Sequence, residues 1–175
     1  MTKRALLIID VQAGLFVRPR PVHAGRRVLK VLAGVIRRAR TAGVPVIYVQ
    51  HCGRPGTKLE KGSPGWVIHP DVAPAPGETV IEKREPDSFQ GTRLGALLRR
   101  RGINTLIIGG VLTECCVDTT TRSAFGRGYQ VTLVADGHSS SGNRVLTGAK
   151  VVAHHNEVLR RFADVRRASQ VRFGR

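Results

Sequence analysis

The fold is decided by one stretch, Thr105-Leu106-Ile107-Ile108-Gly109-Gly110-Val111-Leu112-Thr113-Glu114-Cys115-Cys116-Val117. The apolar run 105–108 predicts a buried strand, and residues 118–127 predict a helix directly after the quoted stretch. Two cysteines therefore stand where a strand ends and a helix begins. The free N–H groups and the positive dipole end of such a helix lower the pKa of a nearby thiol and can hold an oxyanion. This arrangement predicts two parts of a nucleophilic hydrolase site, the thiolate and the N–H groups that hold the oxyanion.

Strand and helix patterns alternate through the rest of the chain. Apolar runs predict strands at 6–9, 44–50, 79–82, 103–109, 129–135 and 162–165. Apolar residues at helical spacing predict helices at 23–42, 89–101, 118–127 and 145–159. The alternation predicts one α/β domain over residues 1–175. We expect a Rossmann-like three-layer sandwich, with a mainly parallel sheet of five to six strands between helices on both faces.

Composition favours a folded protein rather than a disordered or membrane-spanning one. Hydrophobic residues make up 41% of the 175 residues, which suits a sizeable core. Apolar runs stay well short of the roughly 20 residues that span a bilayer. The short N-terminal run is interrupted by Asp10, so it predicts a strand and not a signal peptide. We therefore expect a cytoplasmic protein without a membrane partner.

The chain is strongly basic, with 29 Lys and Arg against 12 Asp and Glu and a formal net charge of +17. Such a charge attracts anionic polymers. The basic residues are, however, spread along the chain, and aromatic residues make up 5%, few for a base-stacking platform. We expect a basic surface without a nucleic-acid partner. A basic binding protein that contacts nucleic acid or another anionic partner is the alternative function.

Chemically active side chains follow several of the predicted strands. Asp10 ends the first strand, and Lys83 follows the third. Ligands of a parallel sheet bind beyond the carboxyl ends of its strands, so a carboxylate, an ammonium and a thiol are expected to converge there. From the residues alone, Asp10 is a turn residue or a general base, and Lys83 a surface ion-pair partner or an orienting charge. Cys116 is a small buried residue or a nucleophile.

These segments together resemble the isochorismatase-like cysteine hydrolase superfamily, which includes nicotinamidases and N-carbamoylsarcosine amidases. The matching segments are Asp10-Val11-Gln12, Glu82-Lys83 with Asp87-Ser88-Phe89, Gly110 to Val117, and Tyr129 to Asp136 followed by His138. Each segment alone is weakly specific. Their order and separation over nearly the whole chain make the resemblance specific.

The resemblance implies which residues act. The family nucleophile lies three residues after the motif threonine and directly before the valine, which here is Cys116, so Cys115 takes a variable position. The implied catalytic triad is Asp10, Lys83 and Cys116. The implied oxyanion hole consists of the backbone N–H groups of Leu112 and Cys116, in a loop whose non-proline cis peptide would precede Leu112.

The implied activity is hydrolysis of a small-molecule amide-type C–N bond, in an amide, ureide, carbamoyl or lactam group, through a thioester and without a cofactor. Cys116 argues against a true isochorismatase, which lacks this cysteine. Metal-dependent nicotinamidases carry an Asp-x-His…His set after the second strand, but here Val49 stands at the Asp position. We therefore predict no metal, although His51, Cys52 and His69 could collect a stray ion.

The substrate pocket is less well defined than the catalytic group. Trp66 is the only tryptophan, in a Gly- and Pro-rich stretch over 51–77 that predicts a long functional loop. Trp66 either packs this loop onto the body of the protein or lines the pocket, where Gln12, Phe16 and Phe89 are the other candidates. The resemblance also implies a homo-oligomer.

Overall fold

The structure, a computed structural model, describes residues 3–174, which contain six strands and four α-helices. The strands are β1 (Arg4–Ile9), β2 (Val46–His51), β3 (Thr79–Lys83), β4 (Thr105–Val111), β5 (Gln130–Ser139) and β6 (Asp164–Arg166). The helices are α1 (Gly25–Thr41), α2 (Leu94–Arg100), α3 (Asp118–Gly126) and α4 (Gly148–Val158).

All six strands form one sheet in the order β3-β2-β1-β4-β5-β6, and every neighbouring pair is parallel. The predicted α/β fold is therefore confirmed. The chain runs outward from β1 to β3 and then returns to β4 beside β1, so the direction of winding reverses between β1 and β4. In sheets of this strand order, ligands bind at the carboxyl ends of the two strands where the reversal occurs.

Helices cover both faces of the sheet, which explains the uninterrupted apolar runs of the inner strands. Side chains of β1 alternate between two cores. Ile8 packs in the core on the α1 side with Leu32, whereas Leu7 packs on the opposite side with Leu98 of α2 and Ala124 of α3. Each inner strand is thus buried on two sides, which requires a side chain without polar atoms at nearly every position.

The longest helix among the described residues, α1, is amphipathic. It buries Val28 and Leu29 and exposes Arg26, Arg27 and Lys30. Among residues 3–174, no helix has both the length and the apolar character that a membrane crossing requires.

The fifth strand is longer than the sequence predicts. It was expected to end at Ala135 but continues to Ser139, because the pairing with β4 shifts between Ile108 and Gly110. Ile108 lies opposite Leu133, whereas Gly110 lies opposite His138, so residues 134–137 form a bulge. A bulge of this kind depends on pairing with the neighbouring strand. In the sequence pattern alone, Gly137 indicates a turn.

The second helix is shorter than the sequence predicts. Residues 89–93 were expected to be helical, but α2 begins at Leu94. Gly91 adopts a positive φ of 64°, which interrupts the helix, and the Thr92 hydroxyl accepts a hydrogen bond from the Leu94 N–H at 3.2 Å. The apolar residue Phe89 is nevertheless buried as the pattern suggested, because it enters the core from the preceding turn.

Candidate active site

The candidate site lies where the winding of the sheet reverses. Asp10 directly follows β1, Lys83 is the last residue of β3, and Cys116 lies in a π-helical turn, Thr113–Val117, between β4 and α3. Since β1 and β4 are neighbours, Asp10 and the cysteine turn emerge side by side. The structure therefore brings together the three residues that the sequence places beyond separate strands.

Gly110 allows β4 to approach β1 at this point. Its φ of 145° is a conformation that side chains rarely adopt, and a Cβ there would collide with the Ile9 carbonyl oxygen and lie 2.7 Å from the Ile9 nitrogen. The close approach sets the start of the loop that carries Cys116. A glycine is therefore required at position 110 by the packing of two backbones.

The Lys83 ammonium joins the other two side chains. Its Nζ lies 2.7 Å from Asp10 Oδ2 and donates hydrogen bonds to Cys116 Sγ at 3.2 Å and to the Glu85 carbonyl oxygen at 3.0 Å. Lys83 and Asp10 are each 2% exposed. The Asp10 carboxylate compensates the charge of this buried lysine, and two further acceptors take hydrogen bonds from its ammonium.

The charges around Lys83 favour one proton that is shared between Asp10 and Cys116. Burial alone would lower the pKa of Lys83, but Asp10 and Cys116 raise it overall, so the ammonium stays charged. Burial, together with Cys116, raises the pKa of Asp10 well above that of an ordinary carboxyl. With the lysine charged, one proton on either Asp10 or Cys116 leaves the buried group neutral, whereas removing it leaves a net negative charge there.

The predicted lowering of the thiol pKa is wrong for Cys116. The Cys115 thiol and burial raise the pKa of Cys116, and the opposing charge of Lys83 does not outweigh them. The helix terminus acts on this thiol together with a second sulfur and with burial, which a strand–helix pattern does not reveal. At rest Cys116 is therefore a thiol, and its use as a nucleophile needs a base.

The loop before Cys116 presents its backbone in an unusual way. The Leu112 carbonyl accepts hydrogen bonds from the N–H groups of Cys115 at 3.2 Å and Val117 at 3.1 Å, which forms the π-helical turn. The Leu112 N–H itself donates to no group within residues 3–174. The peptide between Val111 and Leu112 is cis, as the family resemblance implies. The oxyanion donors assigned to Leu112 and Cys116 stay a prediction.

A buried hydrogen-bond chain that the sequence analysis missed supports the turn. His138 of β5, 1% exposed, contacts the Thr113 hydroxyl through Nδ1 at 2.8 Å and Asn156 Oδ1 through Nε2 at 3.0 Å. The Asn156 amide nitrogen donates to the Ala135 carbonyl, so its oxygen must accept from a protonated Nε2. Burial lowers the pKa of His138 to about 4, which keeps the ring neutral and leaves Nδ1 to accept from Thr113.

Gln12 anchors the long loop rather than offering its amide to a pocket. It is completely buried, and its Nε2 donates to the carbonyls of His51 at 2.9 Å and Trp66 at 2.7 Å. Its Oε1 accepts from the His51 N–H at 2.9 Å. Gln50 donates a further hydrogen bond to the Trp66 carbonyl at 2.9 Å. Two glutamines thus tie the loop around Trp66 to the end of β2.

This anchoring predicts a difference between the two glutamines. Gln12→Ala should lower the free energy of unfolding by about 3 kcal/mol, because it leaves buried His51 backbone groups without partners. Gln50→Ala should cost about 1 kcal/mol, since Trp66 keeps its bond to Gln12. Urea unfolding of both variants measures the difference. Equal losses would contradict the assignment of Gln12 as the main anchor.

The aromatic candidates occupy different surroundings. Trp66 is half-buried, and its Nε1 is a buried donor without a partner among the described residues. Phe16 is also half-buried and meets the edge of the His69 ring, with centroids 5.2 Å apart. Phe89 is buried and stacks on Tyr129 in the core. Trp66 and Phe16 therefore fit a pocket wall better than Phe89 does.

The residues considered for a stray metal are directed to separate partners. Cys52 lies 3.7 Å from Glu82 Oε2, and His69 Nδ1 accepts from the Asp71 N–H at 3.3 Å. His51 Nδ1 is buried and has no hydrogen-bond partner in the described chain. Over residues 3–174, His, Cys, Asp and Glu side chains nowhere form a group of three that could hold a metal ion.

Strand order and site position define a doubly wound α/β protein with a buried lysine–carboxylate–thiol group at its ligand-binding edge. Residues 4–169 match the Isochorismatase domain, so the chain belongs to the isochorismatase family of hydrolases. Its backbone is similar to the crystal structure of an isochorismatase from Pseudomonas putida KT2440, with a TM-score of 0.91 and 29% identity over 97% of this chain and 90% of that one.

Curated relatives include hydrolases with named substrates. Streptothricin hydrolase from Streptomyces noursei is 42% identical over 137 residues, which are 78% of this chain and 50% of that protein. Ureidoacrylate amidohydrolase RutB from Methylobacterium radiotolerans is 29% identical over 144 residues, or 66% of this chain and 56% of that protein. The chain thus spans about half the length of the curated relatives that it matches.

Proposed function

We propose that this chain hydrolyses an amide-type C–N bond of a small molecule, in an amide, ureide, carbamoyl or lactam group, with Cys116 as the nucleophile. The observation that carries the proposal is the contact of one buried ammonium, Lys83, with both the Asp10 carboxylate and the Cys116 sulfur. This arrangement keeps a base, a nucleophile and a fixed positive charge within one water-poor site.

In the first half of the reaction, Asp10 accepts the Cys116 proton as the sulfur attacks the substrate carbonyl. Lys83 compensates the negative charge that moves from carboxylate to thiolate. The tetrahedral oxyanion accepts hydrogen bonds from the N–H groups of Leu112 and Cys116. The carbon–nitrogen bond then breaks, the leaving nitrogen takes the proton from Asp10, and a thioester remains on Cys116. The amine or ammonia is released, except from a lactam, where the new amino group stays attached to the acyl chain.

In the second half, Asp10 accepts a proton from a water molecule that attacks the thioester. The oxyanion forms again at the same two N–H groups and collapses with loss of the Cys116 sulfur, which takes back the proton. The products are a carboxylic or carbamic acid and the free enzyme. Thr113 and His138 act as positioning residues, because their hydrogen bond holds the turn that carries both N–H donors.

The relatives support the bond type. One is a hydrolase of streptothricin and another an amidohydrolase of ureidoacrylate. Both names describe hydrolysis of small molecules. The shared family and the triad geometry together favour C–N hydrolysis over a binding role for the basic surface.

The test is a turnover screen with the full chain. Hydrolysis, followed as amine or ammonia release or, for a lactam, as addition of one water to the substrate, should occur with at least one compound among streptothricin, ureidoacrylate, carbamoyl amino acids, lactams, nicotinamide and aryl amides. Rapid acid quenching should then reveal an acyl adduct on the peptide that contains Cys116, by mass spectrometry. Turnover that persists after iodoacetamide has alkylated Cys116 would refute the cysteine mechanism.

A variant at Asp10 tests the proposed base. Asp10→Asn should lower kcat/KM by about 10²- to 10⁴-fold while the protein stays folded. Asparagine suits the test because Asp10 has a φ of 52°, a conformation that asparagine tolerates. Measurement of kcat/KM against substrate and of the thermal unfolding midpoint gives both results. An active, equally stable Asp10→Asn protein would exclude Asp10 as the base.

The same assignment predicts the pH dependence of the native protein. Since the base must be ionised, kcat/KM should rise with pH through the pKa of Asp10, which burial sets above that of an ordinary carboxyl. Lys83→Met removes the charge that lowers this pKa, so the acidic limb should move to higher pH. A limb that stays in place in Lys83→Met would show that another group controls it.

A further inference from the structure

Cys115 is a second thiol at the candidate site that the proposed hydrolysis does not use. Its Sγ lies 3.9 Å from Cys116 Sγ, and both residues are partly accessible. The sulfurs are therefore nearly in van der Waals contact. The third cysteine, Cys52, is buried, and its Sγ lies 3.7 Å from Glu82 Oε2.

The surroundings of Cys115 favour its ionised form. A hydrogen bond from Cys116, assisted by the charge of Lys83, lowers the pKa of Cys115 to about 7. Cys116, in contrast, packs partly against the hydrophobic core and has a raised pKa. Thiolates react with peroxides and thiols do not, so oxidants should meet Cys115 first.

We propose that Cys115 is a peroxide-reactive thiol that converts Cys116 reversibly into a vicinal disulfide. In the first step, the Cys115 thiolate attacks the terminal oxygen of a hydroperoxide, the O–O bond breaks and the sulfur becomes a sulfenic acid. The leaving hydroxide or alkoxide takes a proton from solvent and becomes water or an alcohol. In the second step, Asp10 takes the Cys116 proton and the thiolate attacks the Cys115 sulfur. A new S–S bond forms, the S–O bond breaks, and the leaving hydroxide takes the proton as water.

The product should be easy to reduce. Adjacent residues have Cα atoms about 3.8 Å apart, whereas ordinary disulfides join Cα atoms about 4.4–6.8 Å apart. A strained disulfide has a more oxidising potential, so small thiols should reopen it. The pair would then protect the nucleophile from irreversible oxidation, since a sulfur held in a disulfide does not proceed to sulfinic acid. The expectation that the disulfide stops hydrolysis by Cys116 rests on the proposed function, whereas formation of the disulfide does not.

The test treats the full chain with hydrogen peroxide and analyses the tryptic peptide 102–122, which contains Cys115 and Cys116 but not Cys52. A Cys52→Ser background removes the remaining thiol. The expected product has lost two hydrogen atoms, resists iodoacetamide, and regains two labelled thiols after dithiothreitol. Addition of oxygen atoms without the two-hydrogen loss would overturn the proposal.

The matched variant is Cys115→Ser. Peroxide should oxidise its Cys116 roughly tenfold more slowly than the native pair, and the product should be a sulfinic acid that dithiothreitol does not reverse. If dithiothreitol restored the oxidised Cys116 thiol of this variant at the rate seen for the native pair, the proposal would also be overturned. Circular dichroism checks that the variant is folded, and Cys115→Ala serves as a second replacement. These readouts hold even if every hydrolysis assay fails.

Discussion

Cys116→Ala is expected to lower kcat for amide hydrolysis by at least about 1,000-fold, whereas Cys115→Ala should change it by no more than about threefold. The large effect follows because Cys116 is the one sulfur among residues 3–174 that contacts the Lys83 ammonium, at 3.2 Å. The two variants remove the same atoms from adjacent positions of one turn. Steady-state kinetics on the substrate found by the turnover screen measures both.

The pair separates chemistry from folding. If both variants lost activity equally, the loss would reflect damage to the Thr113–Val117 turn and not the removal of a nucleophile. Thermal unfolding of the two proteins provides the control, and we expect similar midpoints. Full turnover by Cys116→Ala would refute the covalent mechanism directly.

Gly110→Ala is expected to lower the free energy of unfolding by at least about 4 kcal/mol, enough to prevent folding of many domains. A methyl group there collides with the backbone of Ile9 in the neighbouring strand, and the φ of 145° is unsuitable for alanine. Neither backbone can move without breaking the pairing of β1 with β4. Expression level and urea unfolding of the soluble fraction measure the effect.

Gly34→Ala is the matched control for this prediction. Gly34 lies within α1, and a Cβ there would meet no atom within 4 Å. The replacement should raise the free energy of unfolding by about 0.5–1 kcal/mol, because alanine favours a helix over the unfolded chain. Comparable destabilisation by both alanines would mean that Gly110 has no special role in the contact between β1 and β4.

The fold was predictable because each inner strand is buried on two sides. That burial requires runs such as Leu6–Ile9 and Thr105–Ile108, which stand out in the sequence against the polar helix surfaces. The strand order and its reversal beside β1 were not predicted and come from the structure. The length of β5 was not predictable, because the bulge before His138 depends on pairing with Gly110.

The positions of the triad residues were predictable for a related reason. Asp10 and Cys116 follow strands and Lys83 ends one, and parallel strands deliver such residues to one edge. The support from His138 and Asn156 was not predictable, because it depends on how α4 packs on β5. The pKa of Cys116 could not be predicted either, since it depends on Cys115 and on burial.

Several properties inferred from the sequence stay predictions. They are the single domain over residues 1–175, the homo-oligomeric state, the cytoplasmic location, and the catalytic and substrate-binding roles of the named residues. Light scattering of the purified protein measures one of these properties, the number of subunits. A monomer would contradict the expected homo-oligomer.

The single tryptophan in the anchored loop makes the protein its own optical reporter. The Trp66 carbonyl is held by two glutamines, its indole N–H has no partner within residues 3–174, and the Lys61 ammonium lies 5.9 Å from its ring centroid. Because no other indole contributes, any change in emission on adding a ligand arises from this one loop. Intrinsic fluorescence can therefore follow changes in this loop in real time, without a dye and without knowing the substrate beforehand.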